Sequence, residues 1–313
     1  MNSRIEKRHS KKRKWLWWVS GLLLGILLLT GGALLYMWDQ INDTIDTMHS
    51  PLERDEDPDR QKEIGDRFKQ KKSLNILLLG VDERPGDKGR TDTMILMSLN
   101  PNTNASIMLS IPRDTYVNIP GRGKDKINHA YTYGGVPLSV QTVEEAFDLP
   151  IHFYARVNME GFEQGVDALG GVTVENDIAF SQGGEQFNKG TIHLNGDQAL
   201  KYIRMRKGDP RGDLGRNERQ RKVIKAAMDK ASRFSSITKA GEILTILGTN
   251  VETNMNMKQM QMLFSDYRNT RNNMDAMEIS GAGQFIGPLW YYVVADEEFN
   301  RIHNDITAHM EAK

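Results

Sequence analysis

Cysteine is absent from this chain of 313 residues. Disulfide bonds and thiolate metal sites are therefore excluded. An overall excess of charge is also missing, since 41 lysines and arginines balance 41 aspartates and glutamates. The balance is not local, because residues 1–14 hold seven basic and one acidic residue, which leaves 34 and 40 for the rest. This mildly acidic remainder argues against a nucleic-acid partner, since such binding depends on neutralising phosphates.

Signatures of several common enzyme classes are missing as well. The chain has neither a Walker lysine loop nor a G-x-S-x-G nucleophile elbow. Ser236 and Lys239 match the S-x-x-K spacing of penicillin-binding enzymes, but the S-D-N and K-T-G partner motifs are lacking. His129, His152 and His193 are isolated in the sequence, so we interpret each as structural and not as a metal ligand.

One long segment carries no charge. Residues 15–38 are mainly apolar and would extend ~36 Å as a helix at ~1.5 Å per residue, enough to cross a bilayer. Trp17, Trp18, Tyr36 and Trp38 lie at its two ends, where amphipathic rings favour the headgroup zone. The segment is therefore predicted to be a transmembrane anchor.

The charges around this anchor predict a single-pass type II protein of the cell membrane. The basic tip, residues 1–14, would stay in the cytoplasm by the positive-inside rule. Residues 39–72 then form a polar stalk, and residues 73–313 an extracytoplasmic catalytic domain. A cleaved signal peptide is the alternative, but the apolar run is too long and no small-x-small cleavage site follows it.

The remainder of the chain predicts an α/β fold. Nearly continuous apolar runs at residues 74–82, 92–100 and 105–111 predict strands that are covered on both faces. Later segments alternate between helices at 137–147, 159–169, 195–202, 217–234, 236–248, 257–269 and a last helix ending at 311, and strands at 151–157, 172–175, 276–280 and 291–294. Hairpin-linked strands mixed with crossover helices predict a three-layer α/β/α domain with a mixed central sheet, preceded by one N-terminal transmembrane helix.

Charged residues recur where the apolar strands begin and end. Asp82 and Arg84 follow the first strand, Arg90 and Asp92 precede the second, and Arg113 follows the third. In antiparallel neighbours the exit of one strand and the entry of the next share an edge, so Asp82 and Asp92 are expected to converge. Two carboxylates without a histidine or cysteine cluster make an all-oxygen site suited to Mg²⁺.

A second charged cluster lies further along the chain. It comprises Arg204, Arg206, Asp213, Arg216, Arg219 and Gln220. On a helix from about residue 216, Arg216, Arg219 and Gln220 would share one stripe. Clustered guanidiniums repel one another unless an anion lies among them, and their forks match phosphate oxygens. The cluster therefore predicts a polyphosphate ligand.

A less specific interpretation of the same charges stays open from the residues alone. Residues 216–221 could be the solvated face of an amphipathic helix, and the Asp–Arg pairs could be surface ion pairs of little energetic weight. Placement favours the functional interpretation, because charge recurs where buried strands end.

Six motifs in order resemble the LytR–CpsA–Psr family. The likeness runs from the anchor to about residue 235 and is carried by residues 80–84, 89–94, 111–114, 126–131, 196–206 and 213–220. The resemblance implies an extracytoplasmic phosphotransferase of Gram-positive bacteria. Such an enzyme takes an anionic wall polymer from its undecaprenyl-pyrophosphate carrier and joins it by a phosphodiester to the muramic acid 6-hydroxyl of peptidoglycan.

The resemblance also implies roles for individual residues. Asp82 and Asp92 would hold Mg²⁺ or Mn²⁺, and Asp213 would orient the arginines. The pyrophosphate would be bound by Arg113, Lys126, Arg204, Arg206, Arg216 and Gln220, with Arg84, Arg90 and Arg219 in the same motifs. Asp82 is the first candidate for the base that accepts the acceptor's proton, which competes with its role as a metal ligand.

Two other functions are retained as alternatives. A lipid-pyrophosphate hydrolase would use the same site with water as the acceptor. A membrane-bound transcriptional attenuator, the historical label of the family, would need a cytoplasmic domain, and only about 14 residues are available there. The transferase is therefore the leading hypothesis.

Overall fold

The computed structural model describes residue 44 and residues 46–83, 89–233 and 248–313. The predicted basic tip and anchor, residues 1–38, lie outside the described residues, as does most of the helix predicted at 236–248. Within the described ranges, every helix is too short or too polar to traverse a bilayer.

Helices and strands alternate through the described ranges. The α-helices are α1 (Pro58–Lys69), α2 (His129–Phe147), α3 (Met159–Ala168), α4 (Gly196–Arg204), α5 (Asp213–Ala231), α6 (Met257–Asp266) and α7 (Asp296–Glu311). The strands are β1 (Leu74–Val81), β2 (Thr91–Asn100), β3 (Ala105–Ser110), β4 (Tyr116–Ile119), β5 (Gly123–Lys126), β6 (Phe153–Asn158), β7 (Val172–Asn176), β8 (Phe180–Gln182), β9 (Glu185–Phe187), β10 (Gly190–Leu194), β11 (Val251–Thr253), β12 (Asn273–Met277), β13 (Ala282–Ile286) and β14 (Leu289–Val293).

A six-stranded mixed sheet organises the domain. Its strand order is β11-β6-β1-β2-β3-β12. β1 pairs antiparallel with β2 and parallel with β6, and β12 pairs parallel with β3. Consequently β1, β3, β6 and β12 end at the same edge of the sheet, where β2 and β11 begin. We call this edge the site edge.

Each face of the sheet has its own apolar core, as in a three-layer domain. Alternate side chains of β1 point to opposite faces, so that Leu77 and Leu79 join one core while Leu74 and Ile76 join the other. Helices α2 and α7 cover the first face, and α1 and α6 cover the second. The predicted mixed α/β architecture is therefore confirmed.

A smaller apolar cluster lies beside the main sheet. It joins the two-stranded sheet of β7 and β10 to helices α3, α4 and α5. Val172, Ala199 and Val223 are fully buried within it. This packing fixes the C-terminal end of α4 and the N-terminal half of α5, which carry the second charged cluster.

The segment predicted as a polar stalk, residues 39–72, is partly a component of the domain. Ile64 and Phe68 on one side of α1 are buried in the second core. The Phe68 ring contacts the rings of Phe153 and Tyr267, with centroids 5.9 and 5.8 Å apart. The segment looks polar in sequence because only a narrow stripe of the helix is buried, while its other sides carry charges.

Other element boundaries also differ from the sequence predictions. The predicted helix at 137–147 begins instead at His129 and is kinked at Gly134 and Gly135, where Gly135 has a φ of 64°. The predicted strand at 276–280 is β12, Asn273–Met277. The short hairpins β4–β5 and β8–β9 were not predicted, because strands of three or four residues give too little alternation.

Substituting Phe68 tests whether α1 belongs to the domain. We expect Phe68→Ala to lower the free energy of unfolding by about 3–5 kcal/mol, the usual effect of removing a buried aromatic ring. The measurement is urea unfolding of the full chain, with Lys62→Ala on the exposed side of α1 as the control. Equal stability of the two variants would contradict the packing of α1.

Candidate active site

The site edge brings together side chains from distant parts of the sequence. A cavity of about 430 Å³ opens there. It is lined by Asp92, Thr93, Arg113, Met159, Gln182, Leu200, Ile203, Arg204, Arg206, Lys207, Arg216 and Gln220. Five of these side chains are cations and one is a carboxylate, so the lining favours an anionic ligand.

Arg113 and Asp92 form the tightest ion pair in the cavity. Arg113 Nη1 donates to Asp92 Oδ1 at 2.6 Å, and Arg113 Nε lies 3.6 Å from Asp114 Oδ2. Burial opposes the charge of Arg113, but the hydrogen bond and charge of Asp92 outweigh it and raise the pKa of Arg113. Asp92 therefore fixes a guanidinium that stays charged at any physiological pH.

Asp82, directly after β1, faces Arg204. Arg204 Nη2 lies 3.7 Å from Asp82 Oδ1, beyond hydrogen-bond distance. The backbone N–H of Asp82 donates to the carbonyl of Arg90, which joins the two ends of the loop between β1 and β2. Asp82 is thus placed at the site edge beside an arginine of the cavity.

Arg216 is a buried cation with incomplete compensation. Its Nη1 lies 3.5 Å from Asp213 Oδ1, and Arg206 Nε lies 3.5 Å from the same oxygen. Burial lowers the pKa of Arg216, and the nearby cations Arg113 and Arg206 act in the same direction. Its buried Nε has no hydrogen-bond partner. A bound anion would supply the missing charge and acceptor.

Gln220 connects helix α5 to the main sheet. Its Nε2 donates to Thr93 Oγ1 on β2 at 2.8 Å. Gln220 lies one helical turn after Arg216, so both side chains face the cavity. Nothing in the sequence assigns Thr93 to the site, because threonine is common in strands for its β-propensity alone.

Arg219 departs from the predicted stripe of phosphate-binding residues. It is buried outside the cavity, where Nη1 donates to Asp209 Oδ2 at 2.6 Å and Nη2 to the Met205 carbonyl at 2.6 Å. Its guanidinium also lies over the Phe180 ring, 5.4 Å from the centroid. The structure thus places the Arg219 guanidinium against Asp209 and not in the lining of the cavity, and its contact with a pyrophosphate stays a prediction.

Two further residues predicted for the pyrophosphate site, Lys126 and Arg90, do not line the cavity. Lys126 Nζ is bound to Asp114 Oδ1 at 2.6 Å, one residue beyond Arg113. Arg90 is exposed at the end of the loop that precedes β2. Arg84 lies outside the described residues. Lys126 thus acts on the cavity through Asp114, which itself contacts Arg113.

An ion network around the buried Arg156, beside Asp82, was missed by sequence reasoning. Arg156, in the middle of β6, donates to Glu83 at 2.8 Å and to Glu252 at 2.7 and 3.0 Å. Tyr131 donates to the same Glu83 at 2.6 Å. Burial and the Glu83 carboxylate raise the pKa of Tyr131, so it remains a donor. The network fixes the residue that follows Asp82.

The oxygen donors of the site suit a hard divalent cation. Mg²⁺ is usually bound by one or two carboxylates together with waters and substrate phosphates. Asp82 and Asp92 are the candidates, and each now faces a guanidinium. The described residues contain no group of three or more metal-binding side chains, and an ion held by two carboxylates would take waters or phosphate oxygens as its other ligands.

Replacing the cavity arginines tests the anion site. We expect Arg113→Ala and Arg204→Ala each to weaken binding of inorganic pyrophosphate by about 1.5–3 kcal/mol, the contribution of hydrogen bonds to charged groups. Folding should change little because both side chains lie at element ends. Calorimetric titration checks this, with the exposed Arg268→Ala as the control. Undiminished binding in both variants would refute the site.

Replacing Arg219 should have a different effect. Arg219→Ala leaves the buried Asp209 carboxylate without its main partner, so we expect a loss of about 3–5 kcal/mol in the free energy of unfolding. Urea unfolding of the full chain measures it, beside Arg204→Ala as the matched comparison. A stable Arg219→Ala protein with impaired pyrophosphate binding would return Arg219 to the binding site.

Comparison with known proteins places this site in a family. The LytR_cpsA_psr family model matches residues 35–308. Similar chains include two named polyisoprenyl-teichoic acid–peptidoglycan teichoic acid transferase TagU. The protein of Oceanobacillus iheyensis is 62% identical, with 99% of each chain covered, and that of Bacillus cereus is 46% identical, with 96% of this chain and 99% of the relative covered.

Solved structures agree with this assignment. The TagU structure of B. subtilis matches with a TM-score of 0.64 and 41% identity, over 78% of this chain and 99% of that one. A structure described as TagT bound to LI-WTA matches with a TM-score of 0.67 and 31% identity, over 78% and 92%. The chain, whose site-edge motifs all fall within the matched range, belongs to the LytR–CpsA–Psr family.

Proposed function

We propose that this protein is a membrane-anchored phosphotransferase that attaches an anionic wall glycopolymer to peptidoglycan. The donor would be the polymer on its undecaprenyl-pyrophosphate carrier, and the acceptor the muramic acid 6-hydroxyl. The observation that carries the proposal is the cavity with five cations and one carboxylate at the site edge. The names of the relatives, which are teichoic acid transferases, support the same chemistry.

The cavity arginines would bind the pyrophosphate and stabilise the charge that develops during transfer. Arg204 and Arg206 reach the cavity from the end of α4, and Arg113 and Arg216 from β3 and α5. Phosphoryl transfer needs neutralisation of the leaving phosphate more than covalent chemistry, and fixed guanidiniums supply it. Because Arg216 is buried and short of an acceptor, it gains most from the ligand.

Asp82 and Asp92 would hold a Mg²⁺ or Mn²⁺ ion together with phosphate oxygens. When bound, this ion would withdraw charge from the phosphoryl oxygens. Arg113 and Arg204, which now face these carboxylates, would then be released towards the pyrophosphate. The divalent cation would replace the two guanidiniums beside Asp82 and Asp92, so the positive charge next to these carboxylates would stay the same.

The acceptor hydroxyl requires a proton acceptor, and Asp82 is our first candidate for this role, in competition with its binding of the metal. Asp82 lies at the site edge, where Arg204 Nη2 of the cavity is 3.7 Å from its Oδ1. In the proposed step the hydroxyl oxygen bonds to the phosphorus next to the polymer, and its proton passes to Asp82. The bond from that phosphorus to the bridging oxygen breaks, which leaves undecaprenyl phosphate.

The protein would reach a lipid-linked donor through its N-terminal segment. The apolar residues 15–38 would anchor it in the cell membrane of a Gram-positive bacterium, with the basic tip inside and the domain outside. This topology keeps the domain away from the nucleic acids of the cytoplasm.

Transfer and hydrolysis can be separated in one experiment. The full chain in vesicles is mixed with lipid-linked polymer, with and without peptidoglycan glycan. Polymer bound to the glycan is the expected product, and free polymer as the main product in both arms would favour the hydrolase and overturn the proposal.

Replacing Asp82 tests the base. Asp82→Asn keeps the shape of the side chain but removes its ability to accept a proton, so we expect transfer to fall by about 10²–10⁴-fold. The control is Asp59→Asn on the exposed side of α1. If added Mn²⁺ restored activity to Asp82→Asn, Asp82 would be a metal ligand and not the base.

A further inference from the structure

The hairpin of β13 and β14 exposes an unusual amount of apolar surface. Phe285, Leu289 and Trp290 are 71%, 48% and 37% exposed. Among the described residues only two other large apolar side chains, Tyr133 and Leu214, are comparably exposed. Hydration of apolar surface costs free energy, and a contiguous exposed apolar patch is typical of an interaction surface.

The hairpin also lacks charge. Residues 281–293 contain no aspartate, glutamate, lysine or arginine. The Trp290 ring lies against the backbone of Gly283, where an added Cβ would come within 2.7 Å of it, so the ring is held in place before any partner binds. Trp and Phe without charged neighbours are the side chains that favour the boundary between lipid headgroups and acyl chains.

Basic and tyrosine side chains border the apolar hairpin. The Tyr291 ring is 4.8 Å from the Tyr116 ring, and Lys126 Nζ lies 5.6 Å from the Tyr291 centroid. Lys124, next to Tyr116 on the β4–β5 hairpin, lies 5.6 Å from the centroid of that ring. An apolar centre with a rim of tyrosine and lysine matches the composition of surfaces that bind anionic lipid.

The hairpin is fixed at the site edge. The N–H of Tyr292 donates to the Asp114 carbonyl at 2.8 Å, and Thr115 and Tyr292 form a bridge. Asp114 follows Arg113 of the cavity. The apolar side chains are therefore carried on the same edge of the sheet as the candidate active site.

The chain enters the domain at this edge as well. His49 pairs parallel with Thr253, so the chain at His49 runs in the direction of β11, away from the site edge. Thr44 lies beside Gly248, before the start of β11, with its methyl group 3.7 Å from where a Cβ on that glycine would be. The apolar segment 15–38 thus precedes a chain that arrives from the site edge.

We propose that the β13–β14 hairpin rests on the outer surface of the membrane, with Phe285, Leu289 and Trp290 in the headgroup–acyl boundary. This inference depends on the membrane anchoring that forms part of the proposed function. The protein would then contact the same bilayer at two places: the anchor segment, residues 15–38, which precedes the domain, and the hairpin, which follows β12. The cavity would lie between these contacts and face the membrane surface from which a lipid-linked donor extends.

The absence of cysteine makes a direct test possible. A single nitroxide label is placed at Phe285→Cys in the full chain, reconstituted in phosphatidylglycerol vesicles. The control is Asn102→Cys in the exposed β2–β3 turn, at the opposite edge of the sheet. Accessibility to oxygen and to a water-soluble nickel chelate is then compared by power saturation.

We expect the label at residue 285 to be more accessible to oxygen than to the nickel chelate, and the label at residue 102 to show the reverse. Sedimentation of the chain with the vesicles reports the anchor separately. A chain that sediments while both labels meet nickel would overturn the hairpin contact and leave the proposed function intact. A chain that fails to sediment would overturn the anchoring and with it this inference.

Transfer rates of a hairpin variant distinguish a contact with the bilayer from a contact with another partner. The double variant Phe285→Ser with Leu289→Ser should transfer polymer several-fold more slowly from a donor in vesicles. From a short-chain donor in solution its rate should equal that of the unaltered chain. Equal slowing with both donors would assign the hairpin to the glycan acceptor or to a second copy of the chain, and would refute the membrane contact.

Discussion

Electrostatic imbalance at the end of a sheet is the constraint on which the rest of this structure depends. Four arginines and a lysine line the cavity, and only one carboxylate of the lining compensates their positive charge. Asp82 and Asp213, which lie 3.5 to 3.7 Å from cavity arginines, reduce the repulsion from outside the lining. Such an arrangement stays assembled only because the two cores and the α3–α5 cluster hold the backbone rigid around it.

The ion pairs of Arg219 and Arg156, which lie outside the cavity, have a different role from those within it. Arg219 donates to Asp209, and Arg156 to Glu83 and Glu252, at 2.6 to 2.8 Å. They fix the loop before α5 and the residue after Asp82, respectively. In the cavity the pairing is incomplete, which is the property that a ligand can exploit.

Much of the fold could be predicted from the sequence because the central strands are long and apolar. β1, β2 and β3 were recognised, and the strand-end positions of Asp82, Asp92 and Arg113 followed from them. Helix α1 was missed as a domain element because its buried stripe is only two residues wide among charges. The contact of Arg219 with Asp209 had no signal, because helical periodicity gives the side of a helix but not the carboxylate that a long side chain contacts there. The Arg156 network had no signal, since its partners are 73 and 96 residues away.

The loose sharing of Asp213 between Arg206 and Arg216 bears on how the site would complete a cycle. Each guanidinium lies 3.5 Å from this carboxylate, so in the proposed transfer either could rotate towards the phosphate that carries more charge. After product release, both could return to the Asp213 oxygen. Asp213 would therefore pair with both arginines when no ligand is bound. It would also compete with the product for these arginines, which limits how tightly the product is held.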